Sequence, residues 1–247
     1  MGRQSTQTQR SSRRSEKLTK KPMKEKFSNE PRNNIKLVGK TKTQIEYLKA
    51  LLKHPLVIAK GSAGTGKTFL AVGHACKLFQ EGKIDQIVIT RPNIPTGRSI
   101  GFFPGTLEEK MYPWVAQVLA YAAEFLGNSN IVDLMIKKEE ILIVPIETMR
   151  GRSFGNACVI ADEAQNLDTS LLKCITTRIE ETGQLILCGD STQSDLGEHS
   201  YNEFDIFCKI LEQYDLEQVD IVTFTPDDCI RSGLCKELLQ IFEKEKL

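Results

Sequence analysis

Short apolar runs alternate with amphipathic stretches along most of this 247-residue chain. The apolar runs are typical of buried parallel strands and lie at 56–59, 86–90, 141–145, 157–161, 184–188 and 218–224. Between them, apolar residues recur every three or four positions, which predicts helices. The first predicted helix follows Thr41 or Thr43, the second runs from Lys67 to about Gly82, and the last runs from Asp227 through Ile241. The others lie at 107–126, 130–138, 169–178 and 204–213. Strands that alternate with helices predict an α/β fold, with a mostly parallel sheet flanked by helices.

The first 40 residues do not follow this pattern. They contain 12 Lys and Arg but only 3 Asp and Glu, a net charge of +9, and few apolar residues. Residues 41–247 hold 21 basic and 29 acidic residues, a net charge of −8. Because a segment like 1–40 buries too little surface to offset its conformational entropy, we expect a disordered basic tail (1–40) before one folded domain (41–247). The tail either binds RNA, DNA or an acidic partner, or is only solvated.

The first predicted strand runs into the sequence GSAGTGKT, which matches the phosphate-binding (Walker A) pattern G-x-x-x-x-G-K-[ST] at every fixed position. Glycines let the backbone wrap a phosphate with its N–H groups pointing inward. Lys67 is expected to reach the β- and γ-phosphates, and Thr68 to bind Mg²⁺. The predicted nucleotide-binding residues of this segment are Gly61, Ser62, Ala63, Gly64, Thr65, Gly66, Lys67, Thr68 and Phe69.

A pair of carboxylates follows the fourth predicted strand. Asp162 and Glu163 come directly after it, and Gln165 lies two residues further on. An aspartate at the carboxyl end of an apolar strand, downstream of a phosphate loop, predicts a Walker B residue that holds Mg²⁺. Glu163 is expected to orient and deprotonate the attacking water, and Gln165 to lie near the γ-phosphate. The alternative is that Asp162 only caps the start of a helix.

Other polar residues lie at the carboxyl ends of predicted strands, where open α/β sheets bind their ligands. Arg91 follows the second strand in a segment that resembles motif Ia of helicase-like ATPases, which lies near nucleic acid or a subunit boundary; otherwise Arg91 is merely solvated. Asp190 and Gln193 follow the fifth strand in a segment that resembles motif III of superfamily 1 helicases, and are predicted to report the γ-phosphate. Arg150 and Arg152 flank a glycine in a turn that can aim guanidinium groups at phosphates.

Two more residues are candidates from their surroundings. Gln44, in TKTQIEYLKAL upstream of the phosphate loop, resembles the glutamine of the Q motif, which pairs with adenine; alternatively it is an exposed polar residue. Arg231 is predicted in the first turns of the last helix, where an acid would suit the helix dipole better. We interpret it as an arginine finger, with a structural ion pair as the alternative.

The cysteines and the hydropathy of the chain limit the cellular compartments in which we expect the protein. The chain has seven cysteines and no CxxC pair, and several of them lie inside apolar segments, so we expect buried thiols in a reducing cytoplasm rather than disulfides or a zinc site. No apolar run approaches the ~18 residues of a membrane span. The N-terminus lacks the apolar core of a secretory signal, and a transit peptide ranks second. We therefore expect a cytoplasmic protein with no membrane segment.

Taken in order, these motifs resemble the PhoH family of ATPases. The resemblance is carried by TRPN at 90–93, GFFPGTLEEKMYPW at 101–114, MRGRSF at 149–154 with ADEAQN at 161–166, GDSTQSDL at 189–196, and the arginine of CIRSGL at 229–234. It covers residues 41–240 and implies a single RecA-like domain that binds ATP and Mg²⁺ and hydrolyses ATP. It also implies a ring-shaped homo-oligomer, with a hexamer as the expected form, and binding of single-stranded RNA or DNA.

The sequence therefore predicts an ATPase with Lys67, Glu163 and Arg231 as catalytic residues, in which RNA helicase activity is one form of coupling. A single set of motifs leaves two sources for Arg231: the chain's own last helix or a neighbouring subunit. A second function stays open, a nucleotide-dependent switch that binds nucleic acid through its tail without unwinding it. A small-molecule P-loop kinase is less favoured, because the glutamate beside the Walker B aspartate favours hydrolysis.

Overall fold

The structure is a computed structural model that describes residues 36–92, 107–190, 202–214 and 216–245. Its strands are β1 (Leu56–Gly61), β2 (Gln86–Thr90), β3 (Ile141–Ile143), β4 (Ala157–Ala161), β5 (Gln184–Gly189) and β6 (Val219–Phe224). Its helices are α1 (Lys42–Lys53), α2 (Lys67–Gln80), α3 (Leu107–Leu126), α4 (Ser129–Lys137), α5 (Thr169–Thr176), α6 (Glu203–Glu212) and α7 (Gly233–Glu245).

The six strands form one parallel sheet in the order β3-β2-β4-β5-β1-β6. The phosphate-loop strand β1 is therefore flanked by β5 and β6, while β4 lies one strand further away, beyond β5. Because parallel strands end at the same edge of a sheet, the segments that follow β1, β2, β4 and β5 meet there. The predicted α/β fold is confirmed.

Both faces of the inner strands β1, β2, β4 and β5 are largely buried, which explains why these strands are continuous apolar runs rather than alternating ones. Along β1, Val57 and Ala59 belong to one apolar cluster and Ile58 to another. Helices α1 to α4 contribute to the first cluster, and α5 and α6 to the second. In the first cluster the buried ring of Tyr47 packs edge-on against Phe224, with 5.6 Å between ring centroids. The helices thus hold the sheet from both sides and leave its carboxyl edge for a site.

Polar side chains start several helices by accepting hydrogen bonds from backbone N–H groups of the first turn. Of the two candidate threonines, Thr41 caps α1 by accepting from the N–H of Gln44. Asn128 caps α4 and Asp168 caps α5 in the same way. Helix α2 differs, because it follows Gly66 and has no side-chain cap. The N–H groups of its first turn are therefore available to a ligand.

The structure changes two predicted boundaries. Leu37 packs against the core and the N–H of Lys40 donates to the side chain of Gln44, so residues 36–40 belong to the folded domain rather than to the tail. The predicted disorder of the rest of the tail lies outside the described residues. Pro113 lies within the single helix α3, so the alternative that it starts a second helix is wrong, while the kink stays a prediction.

The seven cysteines are all free, and four of them are buried. Among the residues that the structure describes, no helix combines the length and the apolar character needed to cross a membrane.

Candidate nucleotide-binding site

The loop after β1 has the backbone geometry that its glycines predict. Gly61, Gly64 and Gly66 have φ angles of +117°, +72° and +85°, in the left-handed region that residues with a Cβ rarely adopt. At Gly61 space is limiting as well, since a Cβ there would lie 1.9 Å from the carbonyl oxygen of Phe224. The loop and the start of α2 together present backbone N–H groups in a concave arrangement that suits a phosphate.

Lys67 lies inside this loop. Its Nζ donates hydrogen bonds to the carbonyl oxygens of Gly61 at 2.5 Å and Ser62 at 2.7 Å, and the residue is only 9% exposed. Burial lowers the pKa of the Lys67 ammonium group, while the nearby carboxylate of Asp190 acts in the opposite direction. A phosphate in the loop would supply the negative charge that two neutral carbonyl groups lack, and charge-assisted hydrogen bonds are the stronger kind.

Thr68 and Asp162 bring the first turn of α2 and the end of β4 together. Thr68 Oγ1 donates a hydrogen bond of 2.6 Å to Asp162 Oδ1. Burial raises the pKa of the Asp162 carboxyl group, although the Thr68 hydrogen bond and the Arg91 guanidinium act against this shift. A hydroxyl and a carboxylate beside a phosphate loop match the few oxygen ligands that Mg²⁺ takes from proteins in phosphate sites. These two residues therefore fit the predicted metal ion.

Glu163 is oriented from two sides. Its backbone has a φ of +55°, an uncommon conformation for a residue with a Cβ. Gln165 Nε2 donates to Glu163 Oε2 at 2.6 Å, and Arg91 Nη2 lies 3.3 Å from Oε1. Gln165 Oε1 in turn accepts a hydrogen bond of 2.9 Å from the N–H of Asp190, which links the end of β4 to the end of β5. The Glu163 carboxylate, which the sequence predicts to activate water, is thus held in a defined orientation.

Arg91 joins these carboxylates to α3. Its Nη1 lies 3.8 Å from Asp162 Oδ2 and donates to the carbonyl oxygen of Trp114 at 3.1 Å. The guanidinium therefore forms a bridge between the end of β2, the end of β4 and the neighbouring helix. This places Arg91 at the carboxyl edge of the sheet, as its sequence position predicts, and gives it partners within its own chain.

The last helix begins later than the apolar spacing predicts. The expected start is Asp227, but a 3₁₀ turn occupies Pro226–Asp228 and α7 begins only at Gly233. The intervening backbone leaves the helical path because the N–H of Ile230 donates to a carbonyl group of the phosphate loop. Arg231 therefore precedes α7 instead of lying in its first turns.

Arg231 covers the phosphate loop of its own chain. Its Cδ lies 3.0 Å and its Nε 3.3 Å from the position that a Cβ on Gly64 would take. The side chain is exposed and lines the same cavity as Lys67 and Asp162. This position fits the first of the two sources left open by the sequence, in which the chain's own C-terminal segment supplies the arginine.

Gln44 contacts the phosphate loop instead of the cavity. It is 1% exposed, its Oε1 accepts a hydrogen bond from the N–H of Lys40 at 2.7 Å, and its Nε2 donates to the carbonyl oxygen of Thr65 at 2.8 Å. The structure does not place Gln44 for the predicted bidentate contact with adenine, because both ends of its amide already hold the loop to the start of α1.

A cavity of about 420 Å³ beside the loop brings most of the predicted residues together. The predicted residues that line it are Ala63, Gly64, Thr65, Gly66, Lys67, Thr68, Phe69, Arg91, Asp162, Glu163, Gln165, Asp190 and Arg231. Gly61, Ser62 and Gln44 do not line it and support the loop instead. Gln193 lies outside the described residues.

Several lining residues belong to no motif. Gln117, Val118 and Tyr121 share one face of α3, where Gln117 Nε2 donates to the Tyr121 hydroxyl at 2.6 Å and Tyr121 packs edge-on against Phe69. Their spacing in the sequence predicts that they share one face of a helix. Only the packing of α3 against α2 shows that this face lies at the cavity. The remaining residues without a motif role are Lys40, Cys188, Gly189 and Ile230.

A model of the PhoH-like protein family matches residues 36–243. The chain belongs to the PhoH family. It is similar to a PhoH-like protein of Synechocystis sp. (35% identity over 208 residues, 84% of this chain and 62% of that protein) and to Protein PhoH of Escherichia coli K12 (34% over 218 residues, 87% and 61%). It is also similar to a PhoH-like protein of Bacillus subtilis (34% over 206 residues, 83% and 64%). This PhoH-family chain thus spans less than two thirds of the length of each of these relatives.

The fold of this PhoH-family chain also resembles a solved structure. The large terminase from a thermophilic bacteriophage (crystal form 2) aligns with a TM-score of 0.50 and 13% sequence identity, over 81% of this chain and 49% of the terminase chain. At that identity the likeness concerns the fold alone. Together with the family match, it confirms the predicted P-loop NTPase architecture.

Proposed function

We propose that this PhoH-family chain hydrolyses ATP with Mg²⁺ and couples hydrolysis to the binding or remodelling of single-stranded RNA or DNA. The observation that carries the proposal is the convergence of Lys67, the Thr68–Asp162 pair and Glu163 in one cavity. Phosphoryl transfer to water needs positioning and electrostatic stabilisation more than covalent chemistry, and these are the groups that supply both. Membership of the PhoH family supports the assignment.

The phosphate loop binds the triphosphate. Its N–H groups and the ammonium of Lys67 bind phosphate oxygens, whereas Arg231, which lies above Gly64, contributes to turnover rather than to affinity. Thr68 and Asp162 are the residues that would hold Mg²⁺, which supplies positive charge to the β- and γ-phosphate oxygens when bound. Burial of Lys67 and Asp162 strengthens these electrostatic interactions because water screens them less.

Glu163 accepts the proton of the attacking water in this proposal. Arg91 and Gln165 each contact one of its carboxylate oxygens, and each oxygen keeps a further lone pair that can accept the proton of a water molecule. Arg91 and Gln165 are therefore positioning residues that fix the orientation of the base. Arg231 stabilises the charge that develops as the γ-phosphoryl group leaves.

Phosphate release by the purified chain, measured together with its affinity for nucleotide, tests the proposal. We expect Glu163→Gln to keep nucleotide affinity and to lower kcat by about 10²–10⁴, the usual contribution of a general base. Lys67→Ala should lose nucleotide affinity itself. Glu46→Gln, an exposed carboxylate on α1, is the matched control and should behave as wild type.

Other outcomes would point to other functions. A wild-type rate in Glu163→Gln would refute this mechanism. Slow hydrolysis that neither single-stranded RNA nor DNA changes would favour a nucleotide-dependent switch, and phosphate transfer to a small molecule would favour a kinase. The proposed homo-oligomer, with six subunits as the family-based expectation, is tested by measuring the mass of the same preparation in solution.

A further inference from the structure

A second concave surface lies between α5 and the turn that begins at Arg150. It is an open groove of about 260 Å³ that shares no lining residue with the nucleotide cavity. Ser170, Lys173 and Thr177 follow one another at helical spacing along the groove, and Arg178 comes directly after them. Arg150 Nη2 donates to Ser170 Oγ at 3.2 Å, which ties the turn to the helix.

The groove concentrates positive charge. In the part of the chain that the structure describes, none of Arg150, Lys173 and Arg178 lies within ion-pair distance of a carboxylate, whereas Lys60 and Lys209 both do. The Nε–H of Arg178 is buried without a hydrogen-bond acceptor among those residues. Since residues 41–247 carry a net charge of −8, three uncompensated cations in one groove indicate an anionic partner.

We propose that this groove binds the phosphate backbone of a single-stranded nucleic acid. From Ser170 to Arg178 a helical path covers about 12 Å, while one DNA strand presents a phosphate about every 3.4 Å of its axis. Donors spread over such a length suit a polyanion better than one phosphate ion, around which they would have to converge. Of the described residues that line the groove, none is aromatic, so these residues position the backbone of the nucleic acid and do not stack on its bases.

The groove is connected to the nucleotide site through a short segment. Five residues after Glu163, the side chain of Asp168 caps α5, and a 3₁₀ turn at Ala164–Asn166 with the buried Leu167 fills the space between. A nucleic-acid strand that displaces α5 when it binds would therefore also displace the backbone that orients Glu163. This coupling rests on the proposed ATPase function, whereas binding in the groove does not.

Fluorescence anisotropy of labelled oligo(U) and oligo(dT), titrated with the full chain over a series of salt concentrations, tests the groove. Each phosphate contact to a single strand contributes a slope of about −0.7 in log K against log salt. We expect Lys173→Ala to flatten the slope by about 0.7 and the double variant Arg150→Ala/Lys173→Ala by about 1.4. Lys49→Ala, an exposed lysine on α1, is the control and should leave the slope unchanged.

Lys173→Ala decides the outcome, because its side chain is exposed and, within the part of the chain that the structure describes, forms no hydrogen bond to the turn. If this variant is folded by circular dichroism and binds with the wild-type slope and affinity, the groove assignment is wrong. Displacement of the probe by orthophosphate as readily as by unlabelled oligonucleotide would also overturn it, since the site would then be one for free phosphate.

The ATP hydrolysis assay separates this inference from the proposed function. Lys173→Ala should keep the basal rate of hydrolysis, and the double variant should lose the stimulation of that rate by oligonucleotide. A chain that binds through the groove but never hydrolyses ATP would refute the proposed function alone. If the double variant hydrolyses ATP and oligonucleotide still stimulates that hydrolysis, the coupling through α5 is refuted.

Discussion

At the scale of single residues, Asp162 shows that the site is built at the expense of stability. Its carboxylate is buried, and burial raises its pKa although Thr68 donates a hydrogen bond to it and Arg91 lies 3.8 Å away. These partners offset the loss of hydration only in part. A buried charge without full compensation is unfavourable for folding, and it is the property that makes the residue a strong ligand for a cation.

We expect Asp162→Asn to raise the melting temperature of the protein at neutral pH when no nucleotide or metal ion is added. A folded-state pKa above the unfolded one means that the stability contribution of Asp162 is fully present below the unfolded pKa and is lost as pH rises through the folded pKa. The melting temperature of the variant minus that of wild type should therefore increase with pH and then level off. An asparagine oxygen can still accept the hydrogen bond from Thr68.

Thermal scans over a pH series provide the measurement, with Asp133→Asn on the exposed face of α4 as the control that should show no such trend. Mg²⁺ with nucleotide should stabilise wild type more than Asp162→Asn, because binding to the folded state adds stability by mass action and the variant lacks one residue that would hold the metal ion. If the variant is less stable than wild type at every pH, the ion pair with Arg91 outweighs the effect of burial.

At the scale of helices and strands, the predicted bounds match the structure where neighbouring residues determine them, and differ where contacts with distant residues do. The bounds of β2 and β4 match their apolar runs residue for residue, because strands buried on both faces end where polar residues begin. Helix α7 starts later than its apolar spacing predicts, because the hydrogen bond from Ile230 to the distant phosphate loop keeps the preceding backbone out of the helix. Contacts between distant residues also determine that Gln44 binds the phosphate loop instead of lining the cavity, and that Tyr121 lies at the cavity.

Two helix caps provide a prediction at this scale. Asp168 accepts from the N–H of Leu171 at 2.7 Å, and Asn128 accepts from that of Ile131 at 3.0 Å. Replacing either cap by alanine should lower the free energy of unfolding by about 1 kcal/mol in urea titrations. Only Asp168→Ala should also lower kcat for ATP hydrolysis, by roughly tenfold if about 1.4 kcal/mol of transition-state stabilisation is lost, because α5 follows the Glu163 segment.

Asn128→Ala is thus the matched control, with the same loss of a cap on a helix that does not follow a site residue. Equal kcat values for the two variants would contradict the idea that the start of α5 controls the orientation of Glu163. A change in nucleotide affinity without a change in kcat would contradict it as well, since the segment is expected to act on the base and not on the phosphate loop.

At the scale of the whole molecule, the source of the arginine determines how subunits depend on one another. An arginine that stabilises the transition state can come from the chain that binds the nucleotide or from a neighbouring chain. Here Arg231 lies over Gly64 of its own loop, and the N–H of Ile230 anchors the segment to that loop. An oligomer is compatible with this arrangement, but the arrangement supplies no catalytic reason for one.

Mixing two inactive variants distinguishes the two sources. We expect Arg231→Ala to lower turnover strongly, since arginine fingers contribute about 10³–10⁵ where measured, and to leave nucleotide affinity nearly unchanged. Lys67→Ala should be inactive for a different reason, the loss of phosphate binding. If each arginine serves its own loop, the mixture stays inactive, because every chain lacks either the lysine or the arginine that it needs.

If a neighbouring chain supplied the arginine, a Lys67→Ala subunit would complete the intact loop of an Arg231→Ala subunit, and the mixture would regain activity. The specific rate of wild type would then also rise with protein concentration as subunits associate. We expect no regain and a rate per chain that is independent of concentration, measured by phosphate release together with the mass in solution at each concentration. Activity in the mixture would show that Arg231 leaves its own loop in the working assembly.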